Sequence, residues 1–422
     1  MALSLAFHIL FAVAGMAMPL LMAIAEWRHL RTGDAVYRDL ARRWAKGTGI
    51  LFAVGAVSGT VLSFELGLLW PEFMRHAGPI IGLPFSMEGF AFFTEAIFLG
   101  LFLYGWERLS PRLHLFCGVM VALSGLASGI FVVAVNAWMN TPTGFTLVDG
   151  AFTEIDPFAP FQSAAFPTQA AHMALAAYAS VAAAVLGVHA IGLRRRPDSA
   201  LHRRALGLSF GLLAVSLPLQ IVSGDLSAKH IAKHQPAKLA AAESLFVTTK
   251  GAPIALGGWP DEEAGVLRGA LEIPGLLSFL AFADFDAEVQ GLDRVPRDQW
   301  PPVAVAHYSF QVMVGAGFAL LGLVGFGLLL KLRRKWPSPL FLRAAALAAP
   351  LGLIAVEAGW FVTEVGRQPW IVNGVLRVEA AVTPMPHLTV PLAVFTGLYI
   401  VLGVVVVVLL RGQFRETTAG AS

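Results

Sequence analysis

The 422-residue chain is 57% hydrophobic and only 14% charged, with a mean hydropathy of +0.70, which is more apolar side chain than a soluble core can hide. A soluble globular enzyme is thereby excluded, and the composition describes an all-α polytopic membrane protein. The net charge of +3 and pI near 9.1 report where basic residues sit about a bilayer and imply no nucleic-acid partner, while the single cysteine, Cys117, excludes a disulfide or cysteine-ligated cluster within these residues and reads as a small buried side chain.

Apolar runs able to cross about 30 Å of hydrocarbon at 1.5 Å per residue are predicted at 2–25, 50–69, 84–106, 115–139, 166–193, 205–222, 303–332, 341–363 and 387–410. They make nine transmembrane helices. The first run has no basic segment before it, is too long for a signal-peptide core and carries His8, so it is expected to be a retained span. With the N-terminus outside and the C-terminus cytoplasmic, 20 of the 30 Lys and Arg fall in inner segments, as the bias of cytoplasmic loops requires. The segment from Thr141 to Pro167, with Asp149, Glu154 and Asp156 and no Lys or Arg, is then an outer loop. So is the long stretch 223–302, expected to be a loop domain with short helices such as the amphipathic Pro236 to Phe246. The chain divides into helices 1–6 (1–222), the outer-face loop (223–302), and helices 7–9 with a short cytoplasmic tail (303–422). No internal repeat argues for an inverted-repeat transporter.

Six side chains in these spans could coordinate or titrate: His8, Glu88, Glu95, His172, Met313 and Glu364. Ionisable groups are costly in hydrocarbon and persist there on interior faces, paired or ligating something. His8, Glu88, His172, Met313 and Glu364 are all expected in the outer half of the membrane. Glu88 and Glu95 stand seven apart, hence on one helix face, with Glu95 about 10 Å deeper. Taken singly, the histidines also read as interfacial or core residues, the methionine as core, and the two glutamates as partners of an arginine on a neighbour. As a set, His, Met and carboxylate suit haem iron.

Three stretches carry a resemblance. Pro84-Phe85-Ser86-Met87-Glu88-Gly89-Phe90-Ala91-Phe92-Phe93-Thr94-Glu95, Glu357-Ala358-Gly359-Trp360-Phe361-Val362-Thr363-Glu364 running into Gly366-Arg367-Gln368-Pro369-Trp370, and Gly224-Asp225 through Lys238-Leu239-Ala240-Ala241-Ala242-Glu243 resemble subunit I of cytochrome bd-type quinol oxidases, including the cyanide-insensitive branch. The resemblance implies a haem-bearing subunit of a respiratory oxidase in the bacterial cytoplasmic (inner) membrane. That enzyme oxidises a quinol, reduces O2 to water and generates membrane potential by vectorial proton uptake without a pump. It implies His172 and Met313 as axial ligands of a low-spin haem b. His8, Glu88 and Glu364 go to a high-spin pair, a haem b with a haem d or a further haem b. Glu95 becomes a proton relay that Ser124 and Ser128 could extend, Trp360 an aromatic packed between haems, Arg367 a partner of a haem propionate, and Lys238 and Glu243 the quinol-site pair. Subunit II, membrane lipid and, as an option, a small single-helix subunit are the implied partners.

Three features depart from that pattern or bear on alternatives. Gln311 stands where the family usually has an arginine, two residues before the methionine, and Ala228 replaces a glycine in the loop. On an exposed amphipathic helix, Lys238 and Glu243 would be ordinary solvated charges. Competing functions are a bd-like subunit with a non-quinol donor, a dihaem electron-transfer subunit, and a haem-free ion-coupled transporter; the last predicts broken helices and midplane sites, whereas these candidates gather on one side.

Overall fold

The structure, a computed structural model, describes residues 1–148 and 151–419; Asp149 of the acidic outer loop lies outside the described residues. Its long helices are α1 (Ala2–Thr32), α2 (Ala35–Leu69), α3 (Pro71–Tyr104) and α4 (Pro111–Asn140). After the hairpin β1 (Thr146–Val148) and β2 (Ala151–Thr153) and the single turn α5 (Ala159–Gln162) come α6 (Phe166–Arg195), α7 (Ala200–His234) and the short α8 (Pro236–Glu243). The following loop holds β3 (Thr249–Lys250), β4 (Ile254–Leu256), β5 (Trp259–Asp261), β6 (Val266–Arg268), β7 (Leu271–Ile273), α9 (Leu276–Phe282) and β8 (Glu288–Val289). Then come α10 (Val303–Leu332), α11 (Pro339–Ala348), α12 (Leu351–Val365), the pair β9 (Trp370–Val372) and β10 (Leu376–Arg377), α13 (Val378–Ala381) and α14 (Thr389–Ala419). Among the described residues nine helical spans are long and apolar enough to cross a membrane, α11 and α12 together counting as one.

The expected spans are all present, but several helices run beyond their apolar stretch. Asp34 caps α2 by accepting from the Val36 N–H, and the helix starts 15 residues before the expected 50 because Tyr37, Leu40, Ala41, Trp44 and Ala45 make a buried stripe at helical spacing. Likewise α3 begins at Pro71, favoured in a first turn, so Glu88 is nearly five turns from the helix start, whereas the expected run from 84 would put it one turn in. The expected loop boundary at 223 is also corrected, since α7 continues to His234. The loop itself pairs as β3–β8, β4–β7 and β5–β6 ribbons rather than short helices alone, with Gly257, Gly258, Gly265 and Gly269 supplying positive φ at its turns. The eighth span breaks at Pro350, which cannot donate the backbone bond that would continue α11.

Helices α1–α2, α3–α4 and α6–α7 pack as antiparallel neighbours, α1 also lies on α4, α10 packs on α12, α11 on α6 and α14 on α2. The main core joins Val13, Met16 and Leu21 of α1 to Leu40 and Trp44 of α2, Phe102 of α3, Val121 of α4 and Val181 of α6, with Cys117 buried among them as expected. A second core unites α6, α7, α10 and α11 around Leu186, Leu206, Phe210 and Phe341. One end of the bundle is basic and ion-paired: Arg204 meets Asp34, and Arg38 and Arg42 meet Glu107. At the other end the loops interlock through Gln235 on Asn140, Asn373 on Met139 and Thr383 on Leu69.

Near the basic end, Glu26 of α1 and His114 of α4 form a buried pair, the His114 Nδ1 lying 2.6 Å from the Glu26 carboxylate and its Nε2 2.9 Å from the Phe102 carbonyl oxygen. One side chain thereby ties three helices. Removing one partner of a buried pair leaves an uncompensated polar group, at a cost of about 3–5 kcal/mol. Glu26→Gln is therefore expected to lower the stability of the solubilised protein by about 3 kcal/mol in denaturant unfolding followed by circular dichroism. A double-mutant cycle with His114→Gln should show strong coupling; a coupling energy near zero would dissolve the joint.

Candidate functional site

Each predicted site residue has a distinct setting. His8 on α1 faces α2, where Gly59 leaves so little space that a Cβ there would lie 3.0 Å from the imidazole. Its Nδ1 is 2.9 Å from the Ser58 hydroxyl, which itself donates to the Gly55 carbonyl. A hydroxyl whose proton is committed can only accept, so Nδ1–H donates and Nε2 keeps its lone pair. His172 repeats the arrangement between α6 and α7, its Nδ1 3.0 Å from the Ser223 hydroxyl, which donates to the Gln220 carbonyl at 2.9 Å. The His172 Nε2 faces the Gln220 amide nitrogen at 3.0 Å. Two imidazoles are thus held by a helix-anchored serine with Nε2 as a lone-pair donor, the orientation that metal-ligating histidines require.

Met313 on α10 packs against α12, where a Cβ on Gly359 would lie 3.1 Å from its sulfur. The neighbouring Trp360 has its indole Nε1 buried without a partner. Glu364 receives the Arg367 guanidinium at 2.7 Å on one carboxylate oxygen and the Asn136 amide on the other. Arg367 is 2% exposed, yet its Nε and Nη1 have no partner. Glu88 accepts from Ser128 at 3.2 Å. Ser124, offered as an extension of the relay, instead donates to the Met120 carbonyl of its own helix at 2.6 Å. Glu95 is buried where α1, α3 and α4 meet, made possible by glycines: a Cβ on Gly125 would stand 2.9 Å from the Gly15 carbonyl and 3.1 Å from the Glu95 carboxylate.

The solvated-charge reading of the α8 pair is overturned, since Lys238 is 3% exposed and Glu243 6%. The Lys238 stem packs on Gly366, and its ammonium donates to the Asn140 side-chain oxygen at 2.6 Å. Burial draws the Lys238 ammonium down to about 7, with the Arg367 charge acting the same way and Glu364 opposing it, and burial pushes the Glu243 carboxyl up to about 8. Gln311, the departure beside Met313, uses both ends of its amide on the loop, donating to the Ala255 carbonyl at 2.7 Å and accepting from the Gly257 N–H at 3.3 Å. One turn earlier, His307 bridges the Ala242 and Gly257 carbonyls at 3.0 and 3.1 Å.

The structure brings together Glu364, Arg367 and Lys238, sets Met313 beside the Gly359–Trp360 segment, and keeps His8, His172 and Glu88 on separate helices. Sequence reasoning missed Ser58, Ser223, Gln220, Asn136, Asn140 and Glu357, whose carboxyl oxygen is also buried without a partner. The i, i+4 asparagines in an otherwise apolar α4 and the acid inside α12 were signals that could have found three of them. Among the described residues no three His, Cys, Asp or Glu side chains gather as a self-sufficient metal cage. Single donors on separate helices, with unpaired buried guanidinium and indole donors near the loop end, fit groups that bring their own equatorial ligands and anionic side arms, as haems do.

These features define a polytopic membrane helical bundle. The family model for cytochrome bd terminal oxidase subunit I matches residues 1–418, and the chain belongs to that family. It is 41% identical to a chain in the structure of bd oxidase from Geobacillus thermodenitrificans, with a TM-score of 0.93 over 98% of this chain and 96% of that one. It is also 32% identical to cytochrome bd-II ubiquinol oxidase subunit 1 of Escherichia coli (94% of this chain, 91% of the relative) and 30% identical to cytochrome bd ubiquinol oxidase subunit 1 of Bacillus subtilis (98% and 91%).

Gly125 offers a test of the packing around Glu95. In an open helical position Gly→Ala gains about 1 kcal/mol, whereas overpacking costs about 1–3 kcal/mol. Gly125→Ala is expected to lower the melting temperature of the solubilised protein, because the nearest obstacle is backbone. Gly47→Ala on α2, where a Cβ meets nothing within 4 Å, should leave it equal or higher. Equal melting of the two variants would remove the crowding argument.

Proposed function

We propose that this chain is the haem-bearing subunit of a terminal oxidase of the bacterial cytoplasmic membrane that oxidises a membrane quinol and reduces O2 to water. The observation that carries this reading is the pair of serine-oriented imidazoles whose Nε2 atoms keep a lone pair, open in His8 and capped by the Gln220 amide in His172, in a bundle that also presents Met313, Glu88 and Glu364. In this reading His172 and Met313 hold a low-spin haem b, and His8, Glu88 and Glu364 serve a high-spin haem b and a haem d or further haem b. Bound haem supplies the electron path and the iron at which oxygen is reduced. The unpaired Arg367 donors suit a haem propionate, and Trp360 would pack between bound haems with its indole N–H available.

The buried α8 pair suits quinol oxidation because one ring oxygen needs a donor and the other needs a proton acceptor. Lys238 supplies the first and Glu243 the second. Gln311 and His307 keep the loop that carries this site bound to α10. Orientation with the N-terminus outside places the quinol loop and the oxygen site near the outer face. Protons consumed there come from the cytoplasm through Glu95, and those from quinol leave outside, so turnover generates potential without a pump. Phe90, Phe93, Ile97, Leu101 and Tyr104 form an exposed apolar ridge along α3, a surface suited to subunit II.

Three measurements test this reading. Met313→Leu should abolish or convert the low-spin signal in the reduced-minus-oxidised spectrum while high-spin signals persist; an unchanged low-spin spectrum would withdraw the ligand. The Lys238 cation is lost as pH rises through about 7 and the Glu243 anion is lost as pH falls through about 8. Quinol kcat/KM should therefore be bell-shaped with its maximum between these values, and Glu243→Gln should flatten the acid limb. An identical profile in the variant would take Glu243 out of the site. Glu95→Gln should slow the proton-coupled oxidative steps and voltage generation in liposomes while sparing electron entry. Normal voltage per electron at normal rate would move the relay elsewhere.

A further inference from the structure

Between α8 and α12 a buried hydrogen-bond chain runs through two α4 asparagines, Asn140 and Asn136, that none of the roles above uses. The Lys238 ammonium donates to the Asn140 side-chain oxygen at 2.6 Å, and the Gln235 amide donates to the same oxygen at 3.0 Å and to the Asn140 carbonyl at 2.8 Å. The Asn140 amide nitrogen then donates to Asn136, reaching its side-chain oxygen at 3.0 Å and its carbonyl at 2.9 Å. The Asn136 amide nitrogen in turn donates to Glu364, whose other oxygen receives Arg367 at 2.7 Å. Asn140 is fully buried, with Gln235, Lys238 and Arg367 nearly so.

The direction of the chain follows from its ends. An ammonium can only donate, so the Asn140 oxygen must face Lys238 and its NH2 must face Asn136; the reversed amide would set donor against donor. Asn136 is then obliged to turn its own NH2 toward the Glu364 carboxylate, which can only accept when ionised. Every link is aligned from cation to anion, the arrangement in which charge-assisted bonds polarise one another. Neither asparagine could be replaced by an apolar residue of similar size without stranding a buried ammonium at one end or a carboxylate oxygen at the other.

We propose that Asn140 is the positioning residue that holds the Lys238 ammonium in the quinol site, and that Asn140 and Asn136 join this site to the α12 carboxylate Glu364 through one directed hydrogen-bond chain. The inference rests on the reading of Lys238 as a quinol-site residue. Its consequence is that the donor side and the Glu364 side are not independent: the amide pair sets the ammonium and the carboxylate together. Gly366, whose missing side chain admits the Lys238 stem at a would-be Cβ distance of 2.9 Å, completes the seat from the α12 side.

The test uses the assembled oxidase with Asn140→Ala, Asn140→Asp and Lys238→Ala, assayed with a short-chain ubiquinol and a short-chain menaquinol, with tetramethylphenylenediamine as artificial reductant, and by reduced-minus-oxidised spectra. Asn140→Ala should raise the quinol KM about 10-fold, the order expected for losing a bond to a charged group. Reduction of the haems by the artificial reductant should still go to completion. Asn140→Asp keeps oxygens facing Lys238 and Gln235 and should return KM to near the parent value, yet it cannot donate to Asn136 and should shift the high-spin haem spectrum as Asn140→Ala does. A packing role alone would not separate the two readouts in this way. A rise in KM with Lys238→Ala but not with Asn140→Ala overturns the inference and leaves the quinol reading standing; unchanged KM in both removes the quinol reading and the inference with it. If Asn140→Ala does not assemble, Asn140→Asp decides alone, parent KM with a shifted spectrum supporting the chain and a parent spectrum overturning it.

Discussion

Charge desolvation in hydrocarbon is the constraint on which the arrangement of this bundle depends. A buried ionisable group that stays unpaired costs several kcal/mol, so such groups serve as joints between elements. Glu26 and His114 tie α1 to α4 and, through the Phe102 carbonyl, to α3. Lys238, Asn140, Asn136 and Glu364 tie the loop to α4 and α12. The partnerless atoms of Arg367, Trp360 and Glu357 lie on α12 or immediately after it. Such atoms are open to a bound group, and they lie on the same stretch of chain as Gly359, against which Met313 packs.

Close approach of helices supplies the second half of the arrangement. Bundles in lipid gain little from hiding apolar surface from one another, so backbone proximity through small residues does the packing. Here the small residues lie beside the candidate site residues. Gly59 gives His8 its space, Gly359 seats the Met313 sulfur, Gly366 admits the Lys238 stem, and Gly15 with Gly125 encloses Glu95. In each case a side chain that would be too large or too polar for an ordinary helix interface is housed by removing a Cβ opposite it.

Much of the fold was legible because hydropathy and span length are one-dimensional properties: nine apolar stretches in sequence are, among the described residues, nine helical spans long and apolar enough to cross a membrane. Boundaries were not, since the extra turns of α2 and α7 are amphipathic and are stabilised by tertiary contacts that no window of hydropathy registers. The ribbons of the outer loop depend on glycines at positive φ and on partners such as Ile254 and Ile273, too short and too scattered to give a period-2 signal. The site divides the same way. His8, Glu88, His172 and Glu364 stood out because their residue types are expensive in apolar helices. Asn136, Asn140, Ser58 and Ser223 are cheaper and were passed over, and what makes them matter is a partner 50 to 228 positions away in sequence.

That separation explains why identical local chemistry can be built twice. Ser58 and Ser223 each donate to a carbonyl three residues earlier in their own helix and each receive an imidazole from the neighbouring helix. A serine bonded back to its helix offers one remaining acceptor in a fixed place, so it selects the Nδ1–H tautomer and aims Nε2 away from itself. Supplying this orientation from α2 for His8 and from α7 for His172 leaves each imidazole free to lie on its own helix face, α1 or α6. The two donor sites then inherit their spacing from the packing of the α1–α2 and α6–α7 hairpins and not from any local loop. Rigid hairpins with small residues at their seams hold such spacing with less freedom than loops do.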